Sequence, residues 1–301
     1  MSLIVDAGGG TARASAAPTS APLPKRTDKD RSQFVLTMRR YVERVGVDTG
    51  NSVLIVGGTN EDVTALLQCG FHYISLSNIE APCRSALEAT NRSIIAIDVE
   101  NINLPDRSYD MVIAHEVLHH CRCPHRALCE MLRVARHHVV MMEPNDSSFM
   151  AFLCKLKFSY PFEIAAVVDN DYICGGVRNS QVPNFIYRWN RHEVHKAVSS
   201  FLAEQSVEIY ADPYWDFNVQ ARDLAYRRQT RIGMITTVIG ARNFIRLLRV
   251  AQFGLNRLPL LRAQGNKFFC GINKDKGLHP WLTVDYDGRV AFDRRFQQQL
   301  K

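Results

Sequence analysis

The strongest constraint on this 301-residue chain is an alternation that fills residues 31–145. Short apolar runs, each closing on a glycine or a polar residue, alternate with longer stretches of helical periodicity. Phe34, Val35, Met38, Tyr41, Val42 and Val45 recur at helical spacing, which predicts a helix over 31–47. Ser52–Val56 is a first strand ending in Gly57-Gly58, and 61–70 is a helix stopped by Gly70. Strands follow over 71–76, 94–97 and 109–114, then an amphipathic helix over 124–136 and a fifth strand over 138–142. Apolar runs of this length, separated by helices, require a parallel sheet with both faces covered. Beyond Asp146 the alternation loosens. Helices are expected over 146–157 and from a capping box at Asn190-Arg-His-Glu193 to Leu202, with strands over 207–210 and 267–272.

Hydrophobic residues make up 46% and charged residues 22%, which excludes a disordered, collagen-like or coiled-coil chain. Residues 1–30, rich in Ala, Gly, Pro, Ser and Thr, are expected to form a flexible tail. Within it Val5–Thr11 resembles an ATPase phosphate loop, but a Pro/Ser/Ala linker follows where a strand is required. No basic stretch followed by an apolar one opens the chain, and no run approaches the ~20 apolar residues of a membrane span. A cytoplasmic setting with its eight cysteines reduced is the expectation.

In an open α/β sheet, ligands bind where the strands end and their order reverses. The strand ends here are Gly57-Gly58-Thr59-Asn60, Ser77-Asn78, Asp98-Val99 and His115-Glu116. Asp98-Val-Glu-Asn-Ile-Asn-Leu-Pro-Asp-Arg-Ser-Tyr-Asp-Met-Val-Ile-Ala, then Glu116-Val-Leu-His-His120, then Pro124-His-Arg-Ala-Leu-Cys-Glu-Met-Leu-Arg-Val134 follow in order, with Glu143-Pro144-Asn145 after strand five. This succession resembles the class I S-adenosylmethionine-dependent methyltransferases, in particular the type 11 small-molecule group. The resemblance implies a doubly wound, mostly parallel, seven-stranded Rossmann-like sheet over 31–220 and 263–301, with S-adenosylmethionine as cofactor. It also implies roles. Gly57 and Gly58 would lie under the methionine part, with Asn60 beside them. Asn78 would contact the ribose. Asp98 would accept from the adenine amino group, with the Val99 backbone alongside. His115 would line the pocket near the reacting methyl, and His120 matches the family's recurrent histidine.

The glycine motif departs from the family's pattern. It reads Ile55-Val-Gly57-Gly58-Thr59-Asn60-Glu61, with one family glycine matched and no acid at Ile55. Asn78 stands in place of the ribose acid and can accept only without charge assistance.

Methyl transfer requires an acceptor atom in line with the sulfonium methyl, and a base only if the acceptor must lose a proton. His115, His119 and His120 are the candidates, having near-neutral reference pKa values. The run His119-His120-Cys121-Arg-Cys123-Pro-His125, with Cys129, matches no common zinc spacing, so no metal is expected. An acceptor lid is expected over about 146–192, with Tyr172, Arg178, Asn179, Tyr187 and Arg188 as substrate candidates. Its Gly175-Gly-Val-Arg-Asn-Ser180 and Pro183-Asn-Phe-Ile-Tyr-Arg-Trp189 resemble bacterial methyltransferases of surface-polysaccharide pathways.

The net charge of +7 is concentrated in one segment. Residues 221–262 hold nine arginines, no lysine and Asp223 as the only acid, a net +8 that leaves −1 for the rest of the chain. Arg242, Arg246 and Arg249 share one helical face among Phe244, Ile245, Leu247, Leu248 and Val250. A basic amphipathic helical insert of this kind suits an anionic membrane surface or a phosphate-bearing acceptor. The expected acceptor is thus a small molecule, a glycan or a lipid-linked metabolite, with the protein peripheral to the inner membrane face.

Two other classes compete. RNA methylation is permitted by the basic segment, but no RNA-binding module and no Asn-Pro-Pro-Tyr-type motif accompanies it. A non-catalytic protein of the same fold is favoured by the altered glycine motif and disfavoured by the Asp98 and His120 stretch. A nicotinamide oxidoreductase lacks its Gly-x-Gly-x-x-Gly fingerprint.

Overall fold

A computed structural model describes residues 33–79, 94–217 and 231–299. The expected N-terminal tail, its phosphate-loop-like sequence and the first ten residues of the basic insert lie outside them.

Helix α1 (Gln33–Val45) precedes β1 (Val53–Val56), α2 (Asn60–Gln68), β2 (Ile74–Asn78), β3 (Ile94–Ala96) and β4 (Tyr109–His115). Then come α3 (Pro124–Val134), β5 (Ala135–Pro144), α4 (Ser148–Lys155), α5 (Ile164–Asp169), α6 (Arg191–Phe201) and β6 (Glu208–Tyr214). The chain closes with α7 (Arg231–Ile239), α8 (Ala241–Arg257), α9 (Pro259–Arg262), β7 (Lys267–Asn273), β8 (Leu282–Val284), β9 (Val290–Phe292) and α10 (Arg294–Gln299).

Seven strands form one sheet in the order β3-β2-β1-β4-β5-β7-β6. Strands β1 to β5 pair in parallel, while β7 runs antiparallel between β5 and β6. The order reverses between β1 and β4, and that gap is the crevice in which such sheets bind ligands.

Alternate residues of each strand enter opposite cores, as the period of two requires. Leu54, Val112, Ala114, Val139 and Met141 pack with α3 and α6 on one face. Val53, Ile55, Met111, Ile113 and Val140 pack with α1 and α2 on the other. All ten are at most 1% exposed. This explains why β1 and β4 read as continuous apolar runs: both faces of the sheet are dry.

Several boundaries differ from the sequence reading. Strand β2 begins at Ile74 rather than at Phe71, which is fully buried ahead of the strand. Helix α3 ends at Val134 and passes directly into β5 at Ala135, so no loop separates them. Residues 158–189 contain a short helix, α5, that their aromatic composition concealed. The capping box at Asn190 is half formed. The Asn190 side chain accepts from the Glu193 amide at 2.9 Å, but the Glu193 carboxylate turns instead to Tyr187 and His125. Residues 282–292 form a separate two-stranded hairpin rather than part of the main sheet. Cysteines 69, 121, 123, 129, 154 and 270 are free, whereas Cys174 is disulfide-bonded, in contrast to the expectation of thiols throughout.

The described part of the basic insert, from Arg231 to Arg262, is almost entirely helical. Its base is fastened to the strand-six edge. Arg262 makes a bidentate pair with Asp212 at 2.6 and 2.7 Å, and Asn256 brackets the Trp215 backbone. Arg262 is therefore a structural anchor and not a solvated charge. Helix α8, by contrast, buries no residue.

Candidate functional site

A cavity of about 280 Å³ opens at the carboxyl ends of β1 to β4, a little below the ~300–1,000 Å³ usual for small-molecule sites. Gly57, Asn78, Asp98, Val99, Glu116 and His120 line its sheet side, and Arg178 and Asn179 close it from the lid.

Each wall has a local cause. Gly57 adopts φ +61°, and a β-carbon there would stand 2.6 Å from a Val117 methyl. The turn out of β1 thus requires glycine and leaves bare backbone facing the cavity. Gly58 has a different reason. Its β-carbon would strike Ile55 at 2.3 Å, so its lack of a side chain serves packing under the turn. Gly58 does not line the cavity, contrary to the sequence expectation, and neither does Asn60, which forms the first turn of α2. Asn78 bridges the same turn. It donates from Nδ2 to the Gly58 carbonyl at 3.2 Å and accepts at Oδ1 from the Ile79 amide at 2.8 Å. One lone pair of Oδ1 remains for a ligand. Asp98 accepts the Glu100 amide at Oδ1, 3.0 Å, and Arg178 at Oδ2, 2.5 Å.

The three candidate histidines separate. His115 is turned away from the cavity. Its ring stacks on Phe34 with centroids 4.5 Å apart, and its Nδ1 lies 2.5 Å from the Asp62 carboxylate. Asp62 also accepts from the Thr59 amide and hydroxyl, and these partners outweigh its burial to hold its pKa below the usual carboxylate value. The His115 pair therefore ties β4 to α2, and His115 is not among the residues that line the cavity.

His119 and His120 lie on a single 3₁₀ turn, Leu118–His120. Glu116 enters that turn with φ +57°, and its carboxylate pairs with Lys267 of β7. Glu143, at the end of β5 and wholly buried, receives the turn. It accepts the amides of Val117 (2.9 Å), Leu118 (2.8 Å) and His119 (3.3 Å), and the His119 Nδ1–H at 2.6 Å. The other ring nitrogen of His119 is 3.2 Å from Glu163. Burial would depress the His119 pKa, but the two carboxylates outweigh it and raise the value to about 9. Glu163 responds in kind: burial would raise it, yet His119 and His120 bring it to about 2. His120 is depressed by its own burial and by His119. It is the only one of the three candidates that borders the cavity.

Of the five lid candidates, Arg178 and Asn179 line the cavity. Tyr172 is 65% exposed on the outer surface. Tyr187 packs edge-on against Trp189 and bonds Glu193, while Arg188 reaches the carbonyls of Tyr160 and Ile186. Tyr187 and Arg188 hold the lid's own shape. Glu116, Glu143 and Glu163 were missed as site residues. Glu116 and Glu143 stood inside recognisable motifs, but nothing in the sequence marks Glu163, which lies 44 residues from His119.

Strand order and strand-end chemistry define the class, a class I S-adenosylmethionine-dependent methyltransferase. Residues 54–142, from β1 through most of β5, match the family described as methyltransferase domain. S-adenosylmethionine is accordingly its cofactor. The cavity suits such a molecule: bare backbone at Gly57, a free lone pair on Asn78 and a carboxylate on Asp98 line one wall. No curated protein matches the chain by sequence. Among solved structures, it is similar to a Thermotoga maritima S-adenosylmethionine-dependent methyltransferase described as a possible histamine N-methyltransferase. Identity there is 10%, with 80% of this chain and 89% of that one covered and a TM-score of 0.43. An Archaeoglobus fulgidus S-adenosylmethionine-dependent methyltransferase shows 13% identity over 80% and 94% of the chains, with a TM-score of 0.43. The magnesium protoporphyrin IX methyltransferase of Synechocystis, solved with S-adenosylhomocysteine, shows 14% identity over 60% and 75%, with a TM-score of 0.39.

Proposed function

We propose that the chain transfers the methyl group of S-adenosylmethionine to a small-molecule, glycan or lipid-linked acceptor held between the strand ends and the lid. The observation that carries this reading is a single cavity. It joins the cofactor-type wall of Gly57, Asn78, Asp98 and Val99 to His120 and to the lid residues Arg178 and Asn179. In this reading the Gly57 backbone supports the methionine part, Asn78 Oδ1 takes a ribose hydroxyl, and Asp98 takes the adenine amino group. His120 stands on the acceptor side. Calorimetric titration with S-adenosylmethionine and S-adenosylhomocysteine tests it, with Asp98→Ala alongside. Binding of both ligands, weakened at least tenfold by Asp98→Ala, is expected. Failure to bind either would return the chain to the non-catalytic reading.

The insert supports a peripheral contact with an anionic membrane, where a lipid-linked acceptor would be met. Met234, Val238, Leu247, Val250, Phe253 and Leu260 are 59–86% exposed along α7 to α9. Arg242, Arg246 and Arg249 stand exposed beside them, with no carboxylate partner among the described residues. Apolar side chains edged by unpaired arginines suit an interface of acyl chains and anionic headgroups. No helix among the described residues is long and apolar enough to cross a membrane.

A further inference from the structure

We propose that His119, His120 and Glu163 form a binding site for one divalent transition-metal ion at the edge of the methyl-transfer cavity. One ring nitrogen each of His119 and His120 and a Glu163 carboxylate oxygen lie within 4.8 Å of one another. The two histidine-to-carboxylate separations are 3.2 and 3.5 Å. Metal bonds of about 2.0–2.2 Å at tetrahedral angles place ligand atoms ~3.4 Å apart.

The orientation of the rings is the stronger argument. A metal-binding histidine donates its other ring N–H to a carboxylate or a backbone carbonyl, which fixes the tautomer and directs the remaining lone pair at the ion. Both histidines are held in this way. His119 Nδ1 is 2.6 Å from buried Glu143, and His120 Nδ1 is 3.3 Å from the Gly176 carbonyl. Both Nε2 atoms therefore converge on Glu163. That residue is held in turn. Its amide donates to the Asn184 carbonyl at 2.9 Å, and the Asn184 Nδ2 donates to its carboxylate at 3.2 Å. Asn184 is 1% exposed, yet its Oδ1 has no hydrogen-bond partner. A buried acceptor without a donor, on the side chain that grips Glu163, marks the local polar network as incomplete.

Two imidazoles and one carboxylate suit zinc, iron(II) or nickel rather than calcium or magnesium, and cobalt(II) serves as their spectroscopic stand-in. Three protein ligands leave a coordination position open. His120 borders the cavity, so that position is available to an acceptor oxygen. This last step rests on the methyl-transfer reading; the binding of the ion does not.

The test is a titration of the cofactor-free chain with cobalt(II) alone, followed by absorption. One ion per chain is expected, with visible d–d bands and no near-ultraviolet thiolate band, which would report capture by the free thiols Cys121, Cys123 or Cys129 instead. Glu163→Gln and His120→Gln should each weaken binding at least tenfold, and Cys123→Ser should not change it. Circular dichroism shows whether each variant is folded; if Glu163→Gln is not, His120→Gln decides. Absence of cobalt binding, a thiolate band, or affinity unchanged in both folded variants would overturn the site and leave His119 as an imidazolium between two carboxylates. S-adenosylhomocysteine affinity, measured separately, reports on the cofactor reading.

Discussion

Arg178 Nη2 lies 2.5 Å from Asp98 Oδ2 and joins the lid to the carboxylate at the end of the third strand. Arg178 reaches it from a left-handed backbone, φ +50°. The lid thus holds the group that the proposed function assigns to the adenine amino group. The pair is part-exposed, at 44% and 25% of the two side chains, and such pairs are worth ~0.2–1 kcal/mol. Arg178→Ala should therefore tighten S-adenosylhomocysteine binding by at most about fivefold. Calorimetry on wild type and variant reads this; weaker binding would instead make Arg178 a direct cofactor contact.

Gly57→Ala should be costly twice over. A left-handed residue with a β-carbon costs about 1–2 kcal/mol, and the added methyl meets Val117 at 2.6 Å. Urea unfolding should show a loss of at least that size. Val117→Ala in the same chain should recover the steric part and leave the backbone part.

The Asp62–His115 pair sets an acid limit on stability. The folded pKa of Asp62 is lowered, so the unfolded chain binds more protons as the pH falls. Its contribution is present in full above the unfolded value of about 3.9 and is lost as pH falls through the folded one. Asp62→Asn should cost about 1–3 kcal/mol at pH 7, and this difference from wild type should shrink towards acid pH. Thermal unfolding of both chains across the acid range checks it.

Membrane contact should depend on the face of α8. Each arginine near an anionic surface is worth ~1 kcal/mol, so replacing Arg242, Arg246 and Arg249 by glutamine should weaken binding on the order of a hundredfold. Flotation with phosphatidylserine-containing vesicles at low salt reads the loss. Wild type that fails to float would sink the membrane contact.

The sheet was legible because buried parallel strands need unbroken apolar runs, and Val53–Val56 and Met111–Ala114 could serve no other layer. The positions of Asp98, Asn78 and Gly57 followed, since a strand end in this fold has only one place to be. Gly58 and His115 lie outside the cavity lining for a shared reason. Both occur at strand ends, but adjacent residues of a strand face opposite ways. The side chain that enters the crevice is set by the turn, where Val117 and Ile55 already occupy the space.

Local pattern was therefore sufficient for the fold class, the cofactor type and the concentration of positive charge in one insert. These depend on periodicity and composition, which are properties of neighbouring residues. The convergence of His119, His120 and Glu163 was decided by tertiary structure. Glu143 draws the histidine turn onto the end of β5, and the pairing of Phe162 with Phe185 folds the lid back until Glu163 meets it. The spacing of the His/Cys run could not reveal this convergence, because Glu163 comes from another part of the chain. Distance along a sequence carries no information about a contact that only the packing of two separate elements creates.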